Sequence, residues 1–157
     1  MSAKLINQAS DIYTDEEFAQ AYKFVSKYLL SGGGRYHTTR ITLMSTGKDN
    51  RWRGYATWPD GHIDIWVGKK FGPIVRRKVS ENGPVTILIY GKMDYLVTAL
   101  AHEMTHIHIA DEGHMIVHQE EDRIHELWVA QHGRPLWVKV VSPLFTLVEV
   151  LKGHLSS

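Results

Sequence analysis

Apolar residues recur at helical spacing near both ends of this chain and at alternating spacing between. Phe18, Tyr22, Val25 and Leu29 follow Thr14-Asp15-Glu16-Glu17, a capping-box pattern with Thr14 as N-cap, which predicts a helix to about Leu30. Ser31-Gly32-Gly33-Gly34 stops it. No strand precedes those glycines and no Lys-Ser/Thr follows, so they read as a turn rather than a phosphate loop. From Arg40 to Tyr90 the pattern changes to short β-rich runs at Arg40–Met44, Arg53–Trp58, His62–Val67 and Val85–Tyr90. Ile63, Ile65 and Val67 alternate with His62, Asp64 and Trp66, so one face of that strand belongs to a core. Pro59-Asp60-Gly61 and Glu81-Asn82-Gly83-Pro84 read as turns.

Helical spacing returns with Tyr95, Leu96, Ala99, Leu100, Met104 and Ile107, for which Asp94 is the predicted N-cap. Ala110-Asp111-Glu112-Gly113 reads as a loop. A further helix is predicted over Glu120–Gln131, with Ile124, Leu127 and Trp128 as its stripe; Gly133 and Pro135 interrupt it. Leu136 to Val141 suits helix and strand equally, and Leu144 to Leu151, after Pro143, is predicted helical. The layout is α+β, a small sheet followed by helices. No internal repeat or linker divides it, so residues 1–157 read as one domain.

The second helix carries His102-Glu103-Met104-Thr105-His106. Residues four apart share a helix face, so both imidazoles can address one metal ion. Glu103 is then placed to reach a water on that metal, as a zinc hydrolase requires: nitrogen ligands, an open position and a carboxylate base. Glu103 is the only carboxylate, and there is no Lys or Arg, between Tyr95 and Ala110. An unpaired buried carboxylate between two histidines is costly unless a cation pairs with it.

Composition narrows the chemistry from there. The formal net charge of +1 favours neither nucleic acid nor any other charged partner. The absence of cysteine excludes disulfides, a thiol nucleophile and a zinc ribbon. The N-terminal residues lack the long apolar core of a signal peptide, and no stretch approaches a membrane span. The expectation is a cytoplasmic, intracellular protein with no membrane partner.

Catalytic zinc needs a third protein ligand. His108, two residues past His106, lies on another side of the helix. A metzincin pattern would need Gly at 109 and His at 112, where the chain has Ile109 and Glu112. Glu126 lies at the distance from His106 used by thermolysin-like gluzincins. Glu121, His114, His118 and His132 compete with it, and Glu120 and His125 complete the downstream candidates.

His132 opens His132-Gly133-Arg134-Pro135-Leu136-Trp137. A His-Glu-x-x-His helix after a small sheet, followed by His-Gly and a bulky apolar pair, resembles the SprT-like zinc metallopeptidase domain and its YgjP-like relatives. The resemblance spans roughly Ile63 to Trp137. It implies a zincin-like fold, Zn2+ held by His102, His106 and His132, Glu103 as general base, and a protein or peptide substrate. It further implies substrates associated with DNA. Arg51-Trp52-Arg53-Gly54-Tyr55, Lys69-Lys70 and Arg76-Arg77-Lys78 interleave cations with aromatics in a way that suits weak contact with nucleic acid, although the near-neutral net charge favours solvated hairpin loops. Two other classes stay open. One is a gluzincin-type regulatory protease resembling the ImmA/IrrE group, with a Glu as third ligand. The other is a non-catalytic zinc-binding structural protein whose site a fourth side chain closes. An extended peptide would bind by adding a strand to a sheet edge beside the metal helix, and His125 and Arg134 are candidate oxyanion donors.

Overall fold

A computed structural model describes residues 2–29, 34, 36–46, 53–70, 73–81, 83–111, 113–133, 135 and 137–141. The elements are β1 (Lys4–Gln8), α1 (Asp15–Tyr28), β2 (Arg40–Ser45), β3 (Arg53–Thr57), β4 (His62–Val67), β5 (Ile74–Ser80), β6 (Gly83–Tyr90), α2 (Lys92–Ile109), α3 (His114–His132) and β7 (Trp137–Val141). The fold is α+β, with three helices and two small sheets among the described residues. None of these helices is long and apolar enough to cross a membrane.

The first sheet has the order β1-β2-β4-β3. β1 and β4 run parallel to β2, whereas β3 runs antiparallel to β4 and forms the edge. The predicted alternation in β4 is realised: Ile63, Ile65 and Val67 are fully buried, with Ile41 and Leu43 of β2 in register beside Ile63 and Ile65. This apolar face joins one core with Phe18, Ala21 and Val25 of α1 and Leu96, Leu100 and Ile107 of α2. Each fully buried aliphatic side chain of this kind contributes about 1.5–3 kcal/mol. The second sheet is the antiparallel meander β5-β6-β7.

The capping box forms as the sequence predicts. Thr14 Oγ1 accepts from Glu17 N at 3.1 Å, and Glu17 Oε1 accepts from Thr14 N at 2.9 Å. Tyr13 then donates to the Lys92 carbonyl at 2.7 Å, and Lys92 Nζ pairs with Glu17 at 2.9 Å. These two contacts pin the start of α1 to the start of the metal-motif helix.

Four sequence expectations change. β1 escapes the pattern because Leu5, Ile6 and Asn7 are all half-buried, without alternation. β5 escapes because Arg76-Arg77-Lys78 reads as a basic loop; strand pairing with β6 and facing carboxylates accommodate those charges. Asp94 is not the N-cap of α2. Gly91 is, and Asp94 lies in the first turn, where a carboxylate is stabilised by the helix dipole. α3 begins six residues before Glu120, because its buried stripe of Val117, Glu120, Ile124, His125 and Trp128 mixes polar with apolar residues and hides the period. The ambiguous segment after Pro135 forms strand β7. The expected helix over 144–151 lies outside the described residues.

Candidate metal centre

α2 is buried along most of its length, and His102 and His106 sit one turn apart on it with ring centroids 4.8 Å apart. Each ring is held through Nδ1. The chain leaves α2 through Ala110 in the left-handed region (φ 50°), which turns the Asp111 carbonyl back to within 2.7 Å of His106 Nδ1. His102 Nδ1 meets the Glu121 carboxylate, presented by α3. A carbonyl and a carboxylate both accept, so each of these contacts is one in which Nδ1–H donates. The two Nε2 atoms then face each other as lone pairs 3.1 Å apart. Two ring nitrogens this close can both turn a lone pair to one cation. Nitrogens bound to one tetrahedral zinc at about 2.0–2.1 Å would lie about 3.3 Å apart, so the donor set fits zinc.

α3 supplies the third histidine. Among the described residues, His102, His106 and His114 have ligand atoms within 4.8 Å of one another, and so do His102, His118 and Glu121. The His114 ring centroid lies 5.0 Å from that of His106 and 5.3 Å from that of His102. In the second group Glu121 already accepts from His102 Nδ1, the contact made by the outer carboxylate in a carboxylate–histidine–metal arrangement. The first group does not include Glu121 and so leaves it in that orienting place.

His132 is not brought to this centre. It ends α3 about five turns beyond His114, roughly 27 Å along the axis. Its ring stacks on Trp128 with centroids 3.7 Å apart and stands edge-on to Phe24. The physical reason is the unbroken early start of α3, which puts His114 at the metal end and carries His132 away. Glu126 is also remote, about 18 Å from His114 along the same helix, and it pairs with Arg76 and Lys78. His108 points to another side of α2, against Gly34.

Nor is His125 a candidate oxyanion donor. It is fully buried, with Nδ1 facing Arg76 Nη2 at 2.6 Å and Nε2 facing Asp94 Oδ1 at 2.6 Å. Arg76 can only donate, so the His125 proton sits on Nε2 and goes to Asp94. Arg76 Nε also lies 3.0 Å from Asp122. This chain of contacts locks β5, α3 and α2 together and fixes the rotation of α3 that presents Glu121 and His114. With the Lys78–Glu126 pair, it engages two of the three clustered cations; Arg77, Lys69 and Lys70 are exposed. Arg134, Arg51 and Trp52 lie outside the described residues.

Glu103 is buried, with Oε1 4.0 Å from His102 Nε2. Its carboxylate packs on Gly54 of β3 so closely that any β-carbon there would overlap it. Burial, then the Glu121 charge, pushes the Glu103 carboxyl up to about 7. Burial likewise pushes Glu121 up to about 7 and His102 down to about 3, so the imidazole is in the neutral form that metal ligation needs. A bound dication would favour the ionised carboxylates instead.

A cleft of about 650 Å³ opens over these groups, lined by Gly54, Tyr55, Trp66, His102, Glu103, His114 and His118. The sheet edge at the metal helix, which the sequence left unassigned, is therefore β3. Gly54 was the missed signal: a glycine inside a strand marks close approach by another group. Comparison with known proteins finds no matching family, curated protein or solved structure.

Proposed function

We propose that this chain is a zinc-dependent metallopeptidase of zincin type, with His102, His106 and His114 as ligands and Glu103 as general base. The observation that carries this reading is the approach of His102 Nε2 and His106 Nε2 to 3.1 Å, with Nδ1 of each ring against an oxygen, of Glu121 and of Asp111 respectively. Zinc, when bound, would polarise a scissile carbonyl and acidify a water in its open position. Glu103, held between His102 and the β3 backbone, takes the proton of that water and returns it to the leaving amine. Gly54 and Tyr55 line the cleft on an edge strand, so an extended peptide has backbone groups to pair with beside the reacting centre. Glu121 and the Asp111 carbonyl orient the ligands.

The SprT-like expectation keeps its first motif in this reading, while His132, the basis of its second, stands apart from the site. A Glu-liganded site of ImmA/IrrE type would have to use Glu121, which faces the Nδ1 side of His102. One observation favours a closed, non-catalytic zinc site: His118, one turn beyond His114, has its ring 5.6 Å from His114 and 5.7 Å from His102. His114 and His118 are both exposed and line the open cleft, but His114 groups with both His102 and His106, whereas His118 groups with His102 and Glu121, which leaves His118 to substrate contact in this reading. The decisive experiment is Glu103→Gln. It should abolish peptide hydrolysis with one zinc per chain retained, and undiminished hydrolysis would contradict the proposal.

A further inference from the structure

A second cavity, of about 210 Å³, lies between α2, the start of β5 and α3, and it shares His118 with the cleft over the metal ligands. Tyr95, Thr98 and Ala99 form its α2 wall on the helical stripe that continues into His102. The Thr98 hydroxyl is turned back to the carbonyls of Asp94 and Tyr95, both at 2.9 Å, and Ile74 and Val75 close the other side. The wall is thus mainly apolar, while His118 and Glu121 stand on the metal side. The volume is below that of a typical small-molecule site and suits one side chain of leucine or phenylalanine size. Ala99 is one turn from His102, so a side chain seated here belongs to a residue next to the bond over the metal.

We infer that this cavity is the specificity pocket for a substrate residue flanking the scissile bond, and that it selects an uncharged apolar side chain. The inference rests on the peptidase reading and adds a substrate class to it. An aspartate side chain would lose its hydration in the pocket and meet the like-charged carboxylate of Glu121, whereas an aliphatic one would exchange water for methyl and ring contacts.

Amino-acid hydroxamates test this without catalysis, because the hydroxamate anchors on zinc and the side chain samples the neighbouring pocket. Titration calorimetry of the zinc-loaded full chain should show leucine hydroxamate binding at least about tenfold tighter than glycine hydroxamate, with aspartate hydroxamate no better than glycine. Ala99→Leu, which fills the pocket, should bring leucine and glycine to near parity at unchanged zinc content. Ile74→Ala, a milder change that widens it, should move the preference toward phenylalanine hydroxamate. Equal affinities across the wild-type series, or a ranking that neither variant moves, would overturn the inference. Zinc-loaded protein that binds these hydroxamates yet cleaves no peptide would contradict the peptidase reading while leaving the pocket's preference measured. Failure of the full chain to take up zinc overturns both.

Discussion

Gly54 of β3 lies against the carboxylate of Glu103 with no room for a β-carbon between them. The edge strand and the proposed base therefore position each other. Gly54→Ala must push Glu103 from its place beside His102 Nε2, and a displacement of about 1 Å in a catalytic group costs on the order of 100-fold. The expected outcome is a loss of that size in kcat/KM with zinc content unchanged, measured by peptide hydrolysis and elemental analysis on the same preparation. Unaltered kcat/KM would separate Glu103 from the chemistry.

The histidines of α3 are expected to divide sharply. His114→Ala removes a proposed ligand and should prevent stoichiometric zinc retention through dialysis. His132→Ala should leave zinc at one per chain and lower stability by about 1 kcal/mol, the value of a lost ring pair. Glu121→Gln removes the carboxylate behind His102 and should weaken zinc binding by about 10–100-fold without abolishing it. Competition with a chromogenic chelator gives all three affinities.

Arg76, His125 and Asp94 form a buried polar chain linking β5, α3 and α2. Arg76→Ala leaves His125 Nδ1 without its donor, and Asp94→Ala leaves Nε2–H without its acceptor. Breaking a buried charged contact from one side costs about 3–5 kcal/mol. Either change should cost that much in urea unfolding, and the double variant should cost clearly less than the sum. Strict additivity would show that the contacts act separately.

Alkaline stability follows from two tyrosines. Tyr13 is pushed well above the usual phenol range by burial and then by Tyr95, Glu17 and Asp94, and Tyr95 is pushed up by burial. Both stay protonated in the folded chain at pH values where the unfolded chain ionises. The unfolded state then binds fewer protons, so stability is full below about pH 10 and falls as pH rises beyond it. The urea midpoint should be flat in this respect up to pH 9 and decline above pH 10, and Tyr95→Phe should make that decline shallower. An equal slope in the variant would contradict the assignment for Tyr95.

Sequence patterns resolved the parts of this molecule where one physical signal dominates. The Thr14–Glu17 capping box, the alternation of Ile63, Ile65 and Val67, and the i, i+4 pairing of His102 and His106 each depend on short-range geometry. β5 was hidden because two of its three cations, Arg76 and Lys78, are stabilised by Asp122 and Glu126, far away in sequence. The proposed third ligand was hidden for a related reason. His114, His118, Glu121, Glu126 and His132 all lie on α3, and only the packing of that helix on α2 decides which of them reaches His106. The register of that packing rests on the Arg76–His125–Asp94 contacts, which no spacing rule encodes. Gly54 was legible only as a glycine in a strand; its partner Glu103 appears once β3 is placed as the edge.

The central claim is an open three-histidine zinc site, and zinc K-edge X-ray absorption of the zinc-loaded full chain tests it most directly. The expected first shell is three imidazole nitrogens and one non-protein oxygen at about 2.0–2.1 Å, falling to two imidazoles in any zinc that His114→Ala still binds. A shell of four protein ligands, or an unchanged shell in His114→Ala, would contradict it.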